Sequence, residues 1–256
     1  MNLRLDLAYD GEPFRGFARQ PGVRTVQGDL EDALTHVLGT TPPLTVAGRT
    51  DAGVHALGQV VSLADVPDGT DAAQLRTSLN RMCAPSIVVH GCTPVPDEFN
   101  ARFDARSRTY VYAIVTGELP DPWVGRTAWH HADPLDLDAM VEAAGHLVGR
   151  HDFASFGRLP VPDAPAERTL YELTCSVGGS VVRVRARADA FVQQMVRSLV
   201  GTLVAVGEGK MTADAMPAIV AARDRSAAGP VAPPHGLCLM SVEYPEGWSR
   251  PFDPFE

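Results

Sequence analysis

Lysine is almost absent from this 256-residue chain: of its 22 basic residues 21 are arginine, and Lys210 stands alone. Coding bias in the source genome explains that without any function. Arginine also offers a planar, bidentate fork suited to phosphates and carboxylates. Cysteine is scarce too. Cys83, Cys92, Cys175 and Cys238 are scattered, with no Cys-x-x-Cys pair, which excludes a disulfide framework and a cysteine zinc site. No run of about 18 apolar residues occurs, and the opening MNLRLDLAYDG has no apolar core of signal-peptide length. These absences lead us to expect a reduced, cytoplasmic protein with no membrane association.

What is present is an ordinary globular composition, 45% hydrophobic and 21% charged, with a net charge of −9. A chain of this length folds as one large domain or two modest ones and buries a core without staples. The acidic total argues against indiscriminate nucleic-acid binding. Its distribution is uneven. Residues 146–200 hold 7 basic and 5 acidic residues and form a positive segment, with Arg183, Arg185 and Arg187 on alternate positions. Charges are screened beyond about 8 Å at physiological salt, so RNA responds to such a local row more than to the total.

Leu3, Leu5 and Leu7 alternate with polar or small residues and predict a strand. Thr25 sits as an N-cap before Val26, Leu30, Ala33, Leu34, Val37 and Leu38, a helix ended near Gly39. LTVAGR and QVVSLA read as strands around residues 50–57, then 72–82 as a helix and 87–95 as a strand. That order fits a split β-α-β, ferredoxin-like plan. The run 106–115 is a further strand, and the second half repeats the plan more loosely. Its elements are a helix at 137–147, strands at 170–177 and 181–188, an apolar helix at 191–206 and a last strand at 237–242. The expected fold is therefore α+β: two similar halves, 1–104 and 105–256, forming a largely antiparallel sheet with helices on one face. PVPDAP at 160–165 reads as a surface loop.

Gly48-Arg49-Thr50-Asp51-Ala52-Gly53-Val54-His55 packs two glycines, an arginine, an aspartate and a histidine into a turn between apolar strands. Loops held by rigid strands are where catalytic groups sit. Asp51 reads equally as a catalytic carboxylate or as a turn residue bonding its own backbone. Arg197, inside an apolar helix, calls for an anionic partner or a route to water. His130-His131 are strand neighbours facing opposite ways and make no metal pair.

Five ordered motifs resemble the tRNA pseudouridine synthases of the A type. They are Tyr9-Asp10-Gly11 with Gly16-Phe17, Gln20 and Thr25-Val26-Gln27; GRTDAGVH; Asn100-Ala101-Arg102-Phe103 through Arg108, Tyr110 and Tyr112; Phe191 with Met195-Val196-Arg197 and Gly201; and Ala232 to Leu237. The resemblance covers about Tyr9 to Tyr244. It implies isomerisation of uridine to pseudouridine at positions 38, 39 and 40 of the tRNA anticodon stem-loop. No cofactor or metal is implied; a homodimer and an active-site cleft between the halves are. By the same resemblance Asp51 is the nucleophile and Arg197 its ion-pair partner. Tyr110 stacks on the base, although strand periodicity alone does not separate it from Tyr112. Arg49 displaces the base or holds phosphate, and His55, Asn80 and Arg102 contact RNA. Phe17-Ala18-Arg19-Gln20 and Gln194 depart from the family pattern. A non-catalytic RNA-binding protein of the same fold is the alternative. A sugar hydrolase would need a second acid opposite the first, and none stands out near Asp51.

Overall fold

A computed structural model describes residues 1–159, 161, 164–246 and 248. The 160–165 loop therefore lies partly outside the described residues. The chain divides into two units, Met1–Arg108 with Leu239–Glu256, and Thr109–Cys238.

In the first unit the elements run β1 (Asn2–Tyr9), α1 (Val26–Leu38), β2 (Leu44–Val46), β3 (His55–Leu63), α2 (Ala72–Cys83) and β4 (Ile87–Val95). Strand β1 pairs antiparallel with both β4 and β3, and β2 pairs with β3. The expected split β-α-β plan is thus realised, with α2 packed on β4 and α1 on α2. Local sequence sets the helix ends. Thr25 accepts from the Gly28 N–H, Gly39 closes α1 in a left-handed conformation, and Asp71 accepts from the Ala73 and Gln74 N–H groups.

One departure from alternation is instructive. Leu3, Leu5 and Leu7 are buried, but so is Arg4 on the opposite face. A second small core of Ala47, Val60, Phe99, Ala101 and Tyr244 lies in this unit. The Arg4 guanidinium stacks 5.0 Å from the Tyr244 ring centre and pairs with Asp6 at 2.6 Å. A central strand with both faces covered cannot show a clean period of two.

The second unit contains β5 (Ser107–Thr116, from Thr109 on), β6 (Trp129–His131), α3 (Leu137–Gly145), β7 (Gly149–Asp152), β8 (Glu167–Gly178), β9 (Val181–Ala188), α4 (Met195–Gly207) and α5 (Met216–Ala222). The sheet order is β5-β9-β8-β7, with β8 antiparallel to both its neighbours and β6 parallel to β5. Helix α3 packs on α4 and on β8. The helix expected from Phe191 begins only at Met195. Residues 191–194 are irregular, and Gln194, at φ 64°, precedes the first turn.

The final strand, β10 (Leu237–Glu243), lies beside β3, and from Leu239 its residues belong to the first unit. This departs from the division expected at 104/105. The chain returns to complete a sheet begun near its N-terminus, a long-range pairing with no local sequence signal.

Candidate active site

The GRTDAGVH segment leaves β2 and enters β3 at His55. Its shape is fixed by a buried polar chain. The Tyr9 hydroxyl shares a 2.8 Å hydrogen bond with Thr50 Oγ1, and the Gln59 amide donates to Tyr9 Oη at 3.1 Å and to the Gly48 carbonyl at 2.8 Å. Gln59 is fully buried, so these bonds replace water that cannot reach it. The Phe17 N–H donates to the Thr50 carbonyl, and the Val54 N–H closes a turn onto the Asp51 carbonyl. Gly11 presses on the same loop: a Cβ there would stand 2.2 Å from the Val54 carbonyl oxygen. The Tyr9–Gly16 motif and the Asp51 loop are therefore one packed object. It holds Asp51 half-buried at the tip of the turn, with Arg49 exposed beside it.

His55 is buried at 8% exposure, and its Nδ1 accepts from the Gly11 N–H at 3.1 Å. That bond places the ring proton on Nε2 in the neutral imidazole. The Asp10 carboxylate 3.2 Å from the same Nδ1 becomes an ion pair only when the ring is protonated. Nε2 itself is buried without a hydrogen-bond partner among the described residues.

Asn80 is half-buried and its side chain is bonded within the fold. Its amide donates to the Val89 carbonyl at 2.9 Å and accepts from the Val89 N–H at 2.8 Å, clamping α2 to β4. Arg102 is exposed on a turn capped by Asn100, with its guanidinium 5.5 Å from the ring centre of the exposed Phe103. Sequence reasoning missed the role of Arg108. It is buried, and its guanidinium donates to the carbonyls of Ala47, Arg102 and Ala105, tying the 100–105 turn to the end of β2 just before the Asp51 loop. A buried arginine in an alternating strand was the available signal.

In the second unit Tyr112 is fully buried, and its hydroxyl donates to the Pro233 carbonyl at 2.8 Å. Burial pushes its phenol well above the ordinary range. Tyr110 meets the Phe191 ring edge-on at 5.2 Å between centres. Arg197 is the one residue of α4 that is not buried. Its Nε donates to the Ala232 carbonyl at 2.7 Å, and the Ala232 N–H donates back to the Arg197 carbonyl. Gly201, one turn on, makes room for this strap, since a Cβ there would stand 1.8 Å from the Pro230 carbonyl oxygen. The Arg183, Arg185, Arg187 row lies opposite the buried Val182, Val184 and Ala186 of β9; Arg185 and Arg187 share Glu172 at 3.3 and 4.0 Å.

The comparisons with known proteins follow these motifs. A family model described as tRNA pseudouridine synthase matches residues 143–245. A tRNA pseudouridine synthase A of Frankia casuarinae is 47% identical over 96% of this chain and 90% of its own length. One of Burkholderia mallei is 41% identical over 98% and 93%, and one of Bordetella petrii 43% over 95% and 91%. The chain belongs to the tRNA pseudouridine synthase A family. A solved Cbf5-Nop10-Gar1 complex aligns at 12% identity over 79% of this chain and 54% of that one, with a TM-score of 0.36, too loose a match to carry an argument. For a member of the tRNA pseudouridine synthase A family the packed Asp51 loop and the Arg197–Ala232 strap account physically for why those motifs are spaced as they are. No helix among the described residues is long and apolar enough to cross a membrane.

Proposed function

We propose that this protein isomerises uridine to pseudouridine at positions 38, 39 and 40 of the tRNA anticodon stem-loop, with Asp51 as the nucleophile and no cofactor. Family membership carries the reaction class. The single structural observation that supports Asp51 is its loop: Thr50, Gly48 and the Asp51 carbonyl are bonded to Tyr9, Gln59, Phe17 and Val54, which fixes the turn that carries the half-buried carboxylate. The reaction breaks the C1′–N1 bond, turns the base and rejoins it through C5. A carboxylate suits the electron-poor sugar carbon, whether it bonds to C1′ or abstracts a sugar proton.

In this reading Arg197 pairs with Asp51, held by the Ala232 strap. Tyr110 stacks on the uracil, because the hydroxyl of Tyr112 is committed to Pro233. Arg49 and Arg102, both exposed, contact the RNA. His55 fixes the Gly11 segment, and its contact to RNA is assigned on family grounds. We assign Asn80 to the clamp on β4 and not to RNA. The protein acts in the cytoplasm as a homodimer, on family grounds. The test is tritium release from tRNA labelled at uridine C5, with no cofactor added. Release to water is expected; its absence with tRNA that is bound favours the non-catalytic RNA-binding reading.

A further inference from the structure

The second unit carries a cavity of about 580 Å³ lined by Arg158, Gln194, Arg223, Asp224 and Arg225 together with Ala154, Gly157, Leu159 and Val231. Its volume is that of a site for a small organic group, such as a nucleotide. Three guanidiniums face one carboxylate. The Asp224 carboxylate is engaged by the Ser226 N–H and hydroxyl, which hold it below the usual carboxylate range and ionised. Arg223 shares Asp152 at 2.9 Å. Arg225 donates to the Ala228 and Gly229 carbonyls, neutral acceptors that fix its position without cancelling its charge. The Arg158 side chain has neither an ion pair nor a hydrogen bond among the described residues, while its backbone is anchored by its N–H on the Gln193 carbonyl. The lining thus keeps a positive surplus inside a chain of net charge −9.

The backbone of this wall is strained. Only Asp65, Gln194 and Arg223 among the described non-glycine residues have positive φ, and two of the three line this cavity. Such strain costs on the order of 1–3 kcal/mol per residue and persists where surrounding structure holds a functional shape. Gln194 also immediately precedes α4, three residues before Arg197, so the cavity adjoins the start of the helix that carries the proposed partner of Asp51.

We propose that this cavity is a phosphate subsite for the RNA substrate: it takes one backbone phosphate of the bound tRNA, with room for the attached nucleoside, and Arg158 supplies the unengaged charge. The inference rests on the proposed tRNA isomerase activity and adds a contact to it. No bond is made or broken here. The Arg158 guanidinium takes the phosphate in its fork and displaces the counterion condensed on it, with Arg225 as a fixed second cation.

The experiment measures tRNA affinity by fluorescence anisotropy across a salt series for the wild-type protein, Arg158→Ala and Arg158→Lys, with tritium release read on the same wild-type preparation. Arg158 is exposed and its side chain has no partner among the described residues, so neither variant removes a contact of the described fold. The expected result for Arg158→Ala is roughly tenfold weaker binding and a slope of log K against log salt shallower by about one unit, with Arg158→Lys recovering most of the slope. An Arg158→Ala slope equal to that of the wild type overturns the subsite. Saturable micromolar binding of uridine monophosphate or inorganic phosphate that is lost in Arg158→Ala, with tRNA affinity and salt slope unchanged, assigns the cavity to a free ligand and overturns it. If wild-type protein releases no tritium, the isomerase reading fails; release alongside an unchanged slope sinks only the subsite.

Discussion

Arg197 and Ala232 hold each other at two points: the arginine Nε donates to the Ala232 carbonyl at 2.7 Å, and the Ala232 N–H returns a 3.0 Å bond to the Arg197 carbonyl. A side chain fixed by its own neighbour's backbone loses little further freedom when it meets an anion. The strap exists because Gly201 has no side chain.

Gly201→Ala is therefore expected to destabilise the protein. The added carbon would overlap the Pro230 carbonyl, so helix or strap must shift, at a cost of roughly 1–3 kcal/mol. Chemical denaturation compares the variant with wild type; an unchanged midpoint would show that the strap yields freely.

Tyr110 and Tyr112 should separate cleanly. Tyr112→Phe removes the bond to the half-buried Pro233 carbonyl and costs about 1 kcal/mol of stability while turnover persists. Tyr110→Ala should fold but lose tritium release. The opposite pattern would reverse the assignment of the two tyrosines.

Asp51→Asn keeps the shape of the turn and removes the nucleophile. Tritium release is expected to drop by about a thousandfold or more while tRNA binding survives. Arg197→Leu should also lose activity. Unaltered release from Asp51→Asn refutes the nucleophile, and an active, stable Arg197→Leu refutes the ion pair.

Gln59→Leu removes the donor that spans Tyr9 and Gly48 from beneath the Asp51 loop. Loss of about 1–3 kcal/mol is expected from the stranded carbonyl. Turnover should fall more than substrate affinity, since the carboxylate is no longer held in one place. Equal kcat in variant and wild type would mean that the loop is rigid without this chain.

The thiols give a pH prediction. Burial raises Cys83 and Cys92 to about 11 and Cys175 to about 12. At pH 8 these three should react slowly with a thiol reagent in the native state and quickly after unfolding. Their folded values lie above the unfolded ones, so their contribution is complete below about pH 8.5 and is lost as pH rises towards 11–12. Denaturation midpoints that rise over that interval would contradict the sign.

Much of the first unit was legible because its signals are local. Thr25 and Gly39 bound α1 as an N-cap and a left-handed end, and the strands flanking the Asp51 loop follow from apolar runs. The irregular entry to α4 was not legible: Phe191 and Val192 fit the helical period, and the left-handed Gln194 that breaks it has no glycine to announce it. The candidate site divided in the same way. GRTDAGVH could be read as a loop carrying chemistry, but the engagement of Asn80 by Val89 and of Arg108 by Ala47 depends on partners 9 and 61 residues away.

The sequence by itself determined the ends of α1, the strand plan and the motif order that identifies the family, since each is encoded within a few residues. Only the tertiary structure decided that the Tyr112 hydroxyl is spent on the Pro233 carbonyl, which buried polar groups hold the Asp51 loop, and that the last strand returns to the first unit. Those outcomes are set by which distant groups can satisfy one another once water is excluded, and no local pattern carries that information.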